Sequence, residues 1–262
     1  MYNFEFEKPS TIADAVASLA EEDAMALGGG QTLLPTMKQR LASPSKVVSL
    51  KAIAEMQGIC VADDGSVCIG GATTHVEVAS GEEVFPGLAA LAAGIGDPAV
   101  RARGTIGGSL ANNDPAACYP AAALGAGATI VTNARHIAAD DYFQGMFTTA
   151  LEEGEIITEV RFPIPQASNY QKFEQPASRF ALVGVFVAKV ADGVRVAVTG
   201  ASEDGVFRWS EAETALSTNF TADAIAELTL SEDGMISDLH GTGAYRAHLV
   251  GVLTRRAVAA AS

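Results

Sequence analysis

The chain has 262 residues and a formal net charge of −14, with 31 acidic against 17 basic side chains. Phosphate neutralisation needs clustered Lys and Arg, so this balance excludes a nucleic-acid binder and a polybasic membrane-surface protein. A hydrophobic content of 48% with 18% charged residues excludes wholesale disorder, and the length suits one or two domains.

In chain order, Phe4 and Phe6 alternate with Glu5 and Glu7 as a short strand. Pro9-Ser10-Thr11 opens a helix whose apolar face is Ile12, Val16 and Leu19. The run Ala24–Leu27 stops at Gly28-Gly29-Gly30, and Val47–Leu50 reads as a second buried strand. Asp63-Asp64-Gly65 joins two β runs as a hairpin. Helices are predicted at Thr74–Ala79 and Phe85–Ala93, followed by a stretch dense in Gly and Asn to Asp114. Pro115–Ala134 is uncharged, mostly Ala and Gly, and reads as a buried helix followed by a strand rather than a membrane span. Glu155–Phe162 alternates and ends at Pro163 and Pro165, a predicted domain boundary.

Beyond the boundary, Phe180–Val190 and Val194–Ser202 form a hairpin through Ala191-Asp192-Gly193. Ser210-Glu211-Ala212-Glu213 reads as a capping box, Thr221 as the cap of a helix to Leu228, and the tail from Ala244 as a final helix. Antiparallel hairpins mixed with helices indicate an α+β fold.

Cys60, Cys68 and Cys118 have neither disulfide-scaffold nor metal spacing and are expected to be buried or inert. The four histidines lack ligand spacing and are expected on the surface or at caps. Asp63-Asp64 and Asp140-Asp141 are expected in solvated turns. No metal site is expected. MYNFEFEKPS has no apolar core of a signal peptide, so a cytoplasmic location is expected.

Two glycine clusters remain: Gly28-Gly29-Gly30-Gln31-Thr32 and Gly104-Thr105-Ile106-Gly107-Gly108-Ser109. Glycine permits positive φ and lets N–H groups approach an anion, while Thr32, Thr105 and Ser109 add hydroxyls. A helix N-terminus behind each loop would add partial positive charge, so the pair could clamp a pyrophosphate from both sides. Neither cluster matches GxGxxG or GxxxxGK[ST]; Gly125-Ala126-Gly127 begins like the former, but Ile130 takes its third glycine position. With no self-sufficient acid–base set, a protein that holds a nucleotide-like cofactor fits best.

GGGQTLLPTMKQRL (28–41) and GTIGGSLANNDPA (104–116) resemble the two FAD loops of the molybdenum hydroxylase flavoprotein subunits, the carbon monoxide dehydrogenase medium subunits among them. The resemblance continues through Asp141–Gly145, Thr148–Leu151, Gly154–Ile157, Lys172-Phe173, Ser178–Gly184, Tyr245-Arg246 and Arg255–Ala257, and so covers nearly the whole chain. It implies a vanillyl-alcohol-oxidase-type FAD-binding domain of two α+β subdomains over 1–165, about 1–55 and 56–165. A small α+β C-terminal flavoprotein domain with a three-stranded antiparallel sheet would follow over 166–262. It further implies an electron-transfer oxidoreductase subunit of an (αβγ)2 heterohexamer. The large partner would carry molybdenum cofactor and the small one two [2Fe–2S] clusters, with electrons leaving to an external acceptor. A stand-alone FAD oxidase and a cofactor-less scaffold subunit are the alternatives.

By the same resemblance, Gly28, Gly29, Gly30, Gln31 and Thr32 with Thr105, Ile106, Gly107, Gly108 and Ser109 would contact the pyrophosphate and adjoining parts. Ile95 and Gly96 would lie near the ribityl chain or ring, and Ile157 and Lys172 would approach from the other subdomain. Lys172 would stabilise negative charge on the reduced ring. Three residues depart from the family. Gln31 stands where His often does, so FAD would be non-covalent. Cys118 stands where a ribose-binding Asp is common, leaving that contact to Asp114. Phe180 replaces a hydroxyl-bearing aromatic.

Overall fold

The computed structural model describes residues 1–261. The chain opens with β1 (Glu5–Glu7), α1 (Ile12–Leu19), β2 (Ala24–Leu27), α2 (Leu33–Lys38) and β3 (Lys46–Ser49). Their three-stranded sheet has the order β1-β3-β2, and both pairings are parallel. Thr11 caps α1, its Oγ1 accepting from Asp14 N at 3.1 Å, and directs Ala15 and Leu19 inward. There they join Val48, Leu50, Ile53 and Met56, together with Ala72 and Ile156 from the next layer. Lys46 is buried on β3; Glu21 at 2.6 Å, Glu7 at 3.3 Å and Glu5 at 3.7 Å surround its ammonium.

The second sheet is antiparallel. The chain continues as β4 (Ile59–Val61), β5 (Val67–Gly70), α3 (His75–Ala79), α4 (Pro86–Ala93), α5 (Pro98–Arg101), α6 (Ile106–Asn112), α7 (Tyr119–Ala126), β6 (Thr129–Thr132), β7 (His136–Ala138), α8 (Ala139–Tyr142), β8 (Phe143–Gly145), β9 (Thr148–Thr149) and β10 (Ile157–Phe162), with β8 and β9 paired only to each other. The order β4-β5-β10-β6-β7 places the late strand β10 in the centre. One face of the sheet turns Ile69, Val160, Ile130 and Ile137 into the main core. The stretch dense in Gly and Asn contains two short helices, α5 and α6, which begin after the caps Asp97 and Thr105.

The third sheet comprises β11 (Ala167–Glu174), β12 (Ala181–Val190), β13 (Gly193–Ser202) and β14 (Gly205–Arg208), antiparallel in that order, with α9 (Ser210–Thr218) and α10 (Gly243–Ala260) following. It has four strands, one more than expected. Helix α7 is buried along its whole length on one side of this sheet. Phe186, Ala188 and Ala197 enter the main core there, while Val185, Val187, Val196 and Val198 pack with α9 and α10 on the other side. Gly125 permits the α7 contact, since a Cβ would meet Phe186 Cδ1 at 2.8 Å. Both faces of β12 and β13 are therefore apolar, and the core runs past Pro163 and Pro165 without a break.

Three local expectations fail, those at Ser210–Glu213 and Asp140 because a distant partner outcompetes a local arrangement. Ser210 is the first helical residue of α9 and makes no cap; Trp209 precedes it. Glu213 instead accepts from Val196 N at 2.9 Å and pairs with Arg208 at 2.7 Å. Thr221 makes no side-chain cap, and only a 3-10 turn, Ala222–Ile225, forms. Asp140 lies in α8 rather than a turn. Its desolvation is outweighed by Arg195 at 2.7 Å and Arg208 at 3.1 Å, which hold the carboxyl below its ordinary value.

Candidate functional site

A cavity of about 660 Å³ opens between the first two sheets, with Lys172 of the third sheet and Phe180 of the loop before β12 closing one side. Both glycine loops line it, and they meet along their backbones. A Cβ on Gly29 would lie 2.5 Å from Gly104 Cα and closer still to Arg103 O. A Cβ on Gly28 would lie 2.7 Å from Thr105 Oγ1. Only glycine allows the loops to touch in this way.

The loops differ in what they offer a ligand. In the first, Gly30 adopts φ +70° and the chain turns into α2. Among the described residues, the N–H groups of Gly29, Gly30, Gln31 and Thr32 donate to no partner within the chain. Successive free N–H groups around a left-handed residue form an anion nest. In the second, the donors at the start of α6 are already engaged. Ile106 N donates to Thr73 O at 3.1 Å, Gly107 N to Gly71 O at 2.9 Å and Gly108 N to Thr105 Oγ1 at 3.1 Å. The second loop therefore presents hydroxyls and a flat backbone wall rather than the expected helix N-terminus. Gly107 is needed on its far side, where a Cβ would meet Gly71 O at 2.6 Å.

Of the predicted site residues, Gly28, Gly29, Gly30, Gln31, Thr32, Ile95, Gly96, Thr105, Gly107, Gly108, Ser109, Asp114, Ile157 and Lys172 line this cavity. Ile106 does not; its side chain is fully buried in the main core. Gln31 Nε2 donates to Gly29 O at 3.1 Å, bracing the first loop. Asp114 Oδ1 accepts from Ala116 N at 2.8 Å. Cys118 also faces the cavity, its thiol pushed up by burial, with Lys172 opposing the shift. Phe180 stands 49% exposed at the rim.

Lys172 is more constrained than its sequence position shows. Its side chain is 6% exposed. Nζ donates to Gly94 O at 2.6 Å and Arg179 O at 3.0 Å, with Glu174 at 3.3 Å. Arg101 holds the adjacent carbonyls, donating to Ile95 O at 3.1 Å and Gly96 O at 3.2 Å. Two cations thus fix one cavity wall through its backbone.

His75 and Glu155 line the cavity unanticipated. His75 is buried rather than exposed or capping. Its ring lies against Gly104 and packs on Tyr119 at a 5.2 Å centroid distance. Burial, helped by the charge of Arg101, pushes it down to about 4, so the imidazole is neutral near pH 7. The visible signal was Thr74-x-x-Glu77, a capping box formed as its spacing implies, which fixes α3 immediately before His75. Glu155 is held at about 2, chiefly by Arg135 with Thr132 and Glu152 N adding bonds. No signal on the chain linked it to Arg135.

A deep, partly apolar cleft with one anion nest, two touching glycine loops and a firmly braced wall is the site of a protein that holds an elongated, phosphate-bearing cofactor. Comparison with known proteins fixes which. Residues 2–165 match the family described as FAD binding domain in molybdopterin dehydrogenase, and the chain belongs to that family of flavoprotein oxidoreductase subunits. It is 34% identical to the carbon monoxide dehydrogenase medium chain of Afipia carboxidovorans, covering 98% of this chain and 96% of that one. It is also 34% identical to the nicotine 6-hydroxylase medium subunit of Paenarthrobacter nicotinovorans, covering 97% and 95%. Among solved structures, reconstituted CO dehydrogenase from Oligotropha carboxidovorans superposes with a TM-score of 0.89 at 32% identity, covering 98% and 97%. Quinoline 2-oxidoreductase from Pseudomonas putida 86 gives a TM-score of 0.88 at 28% identity, covering 98% and 96%.

Proposed function

We propose that this chain is the FAD-carrying, electron-transferring medium subunit of a molybdenum hydroxylase complex. The observation that carries the reading is the meeting of the two glycine loops at one cavity with a free anion nest, in a chain that aligns end to end with medium chains. When bound, FAD would supply the redox chemistry between the [2Fe–2S] clusters of a small partner and an external acceptor. A large partner carries the molybdenum cofactor and oxidises the substrate, and the three chains pair as (αβγ)2 in the cytoplasm.

Within the chain, residues 1–165 form the FAD-binding domain and 166–262 the C-terminal domain. The N–H groups of Gly29 to Thr32 receive the pyrophosphate, and Thr105 and Ser109 add hydroxyls. Asp114 serves the ribose. Ile95, Gly96 and Ile157 would flank the ring system, and Lys172 ties down Gly94 O and Arg179 O on that wall. Gln31 offers no imidazole, so the cofactor is non-covalent.

The test is reversible removal of FAD from the native complex. Substrate should still bleach the iron–sulfur absorbance of the deflavo form, while turnover with an external acceptor stops and returns when FAD is restored. Full turnover without flavin would defeat the assigned role.

A further inference from the structure

On the side of the second sheet away from the core, two cysteines stand directly opposite one another. Cys60 on the edge strand β4 is the register partner of Cys68 on β5, and Cys68 is in turn the partner of Arg161 on β10. The neighbouring row, Ile59, Ile69 and Val160, points the other way into the main core. Both thiols therefore project from one face.

The hydrogen bonds define their spacing. Ala62 N donates to Ser66 O at 2.9 Å, and Gly70 N donates to Gly58 O at 3.0 Å. Bonded pairs recur at every second residue of an antiparallel ladder, so Cys60 and Cys68 form the bonded pair between these two. Such a pair has a Cα separation of about 5.5 Å, inside the range a disulfide spans. Their Cβ atoms, about 5.5 Å apart in a bonded pair of a ladder, must close to about 4 Å. The movement falls on β4, the three-residue edge strand of its sheet. Register cannot slip during closure, because Asp64 Oδ1 accepts from Ser66 N at 2.9 Å and from Ser66 Oγ at 2.6 Å inside the turn.

The two thiols differ in access. Cys60 is exposed. Cys68 is 5% exposed although it lies on the outer face, flanked by Cys60 and the Arg161–Glu159 ion pair. One cysteine can meet an oxidant, and the other is shielded yet adjacent. That is the arrangement of an attacking and a resolving thiol.

We propose that Cys60 and Cys68 form a reversible cross-strand disulfide under peroxide. The Cys60 thiolate attacks one oxygen of hydrogen peroxide, the O–O bond breaks, and hydroxide leaves to become water. The resulting Cys60 sulfenic acid loses its oxygen as a second water when the Cys68 sulfur displaces it. Two thiols are oxidised to one disulfide, and one peroxide is reduced to two waters. Because the ladder must contract to close it, the bond is of the readily reduced kind.

The test uses the full chain in its native complex, treated with hydrogen peroxide, blocked with an alkylating reagent and digested with a protease that cleaves before aspartate. Asp63 and Asp64 lie between the cysteines, so the digest separates them unless they are linked. The expected product is a Cys60–Cys68 linked pair of peptides, two hydrogen masses lighter than the free pair and released by dithiothreitol. Cys68→Ser should instead drive Cys60 to sulfinic acid, and Cys60→Ser should leave Cys68 reduced. Sulfinic acid at Cys60 of the unaltered chain beside a free Cys68 thiol would overturn the proposal. So would linkage of Cys60 between two chains.

Discussion

Replacing Gly29 with alanine adds one carbon where the two cofactor loops touch. That carbon would sit 2.5 Å from Gly104 Cα, against 3.4 Å for an ordinary contact, and nearer still to Arg103 O. The obstacles are all backbone, so no side chain can rotate away, and the loops must part by about an ångström. A hydrogen bond spanning the gap at 2.9 Å would lengthen beyond useful range. Losing one charge-assisted bond costs about 1.5–3 kcal/mol, or roughly 10- to 150-fold in FAD affinity. Equilibrium dialysis or flavin fluorescence on the assembled complex reads this directly. Gly251→Ala, on α10 away from the cavity, is the control, since the new carbon meets only Arg255 Nη1 at 3.7 Å. A folded Gly29→Ala complex that binds FAD as tightly as the control would refute the close approach of the loops as a requirement for binding.

Lys172→Met leaves Gly94 O, Arg179 O and Glu174 without their cation, and FAD should dissociate about tenfold faster or more, measured by stopped-flow release. His75 sits below its ordinary value when folded, so its contribution to stability is complete above about pH 6.5 and is lost as pH falls towards about 4. Over that window, His75→Phe should flatten the pH dependence of the unfolding free energy by up to about 1.4 kcal/mol per pH unit; unchanged slopes would refute a buried neutral imidazole. Glu155, also depressed, contributes fully above about pH 4.5 and loses that contribution towards about pH 2. Glu155→Gln should lower the thermal midpoint at pH 7 and shrink the difference from the parent in acid. Arg195 donates to Leu124 O at 2.8 Å and to Asp140 at 2.7 Å, joining the third sheet to α7 and α8. Arg195→Met should cost about 2–3 kcal/mol in denaturant unfolding without altering the FAD content of the folded protein.

Local order was readable from the sequence wherever neighbours along the chain decide it. The alternation at Phe4–Glu7, the Asp-Gly turns and the helix at Thr74–Ala79 each depend on residues a few positions apart. The two glycine loops were visible for the same reason, since a run without Cβ atoms is a local property. Partners that fold from far away were not visible. Glu213 read as a cap because its bonds to Val196 N and Arg208 have no local trace. Ile106 and Gly107 read as part of a helix N-terminus open to an anion, but the carbonyls of Thr73 and Gly71 take those donors first. His75 read as a surface residue because nothing in its neighbourhood announces Gly104 and Tyr119. The separation of nest from wall, which decides where a pyrophosphate can bind, lies in three dimensions alone.

The most direct measurement is the flavin content of the purified complex before and after acid precipitation. The expected result is an oxidised-flavin spectrum that passes into the supernatant as FAD, one molecule for each copy of this chain. A complex that releases no FAD, or flavin that stays with the precipitated protein, would contradict a non-covalent dinucleotide held between the Gly28 and Gly104 loops.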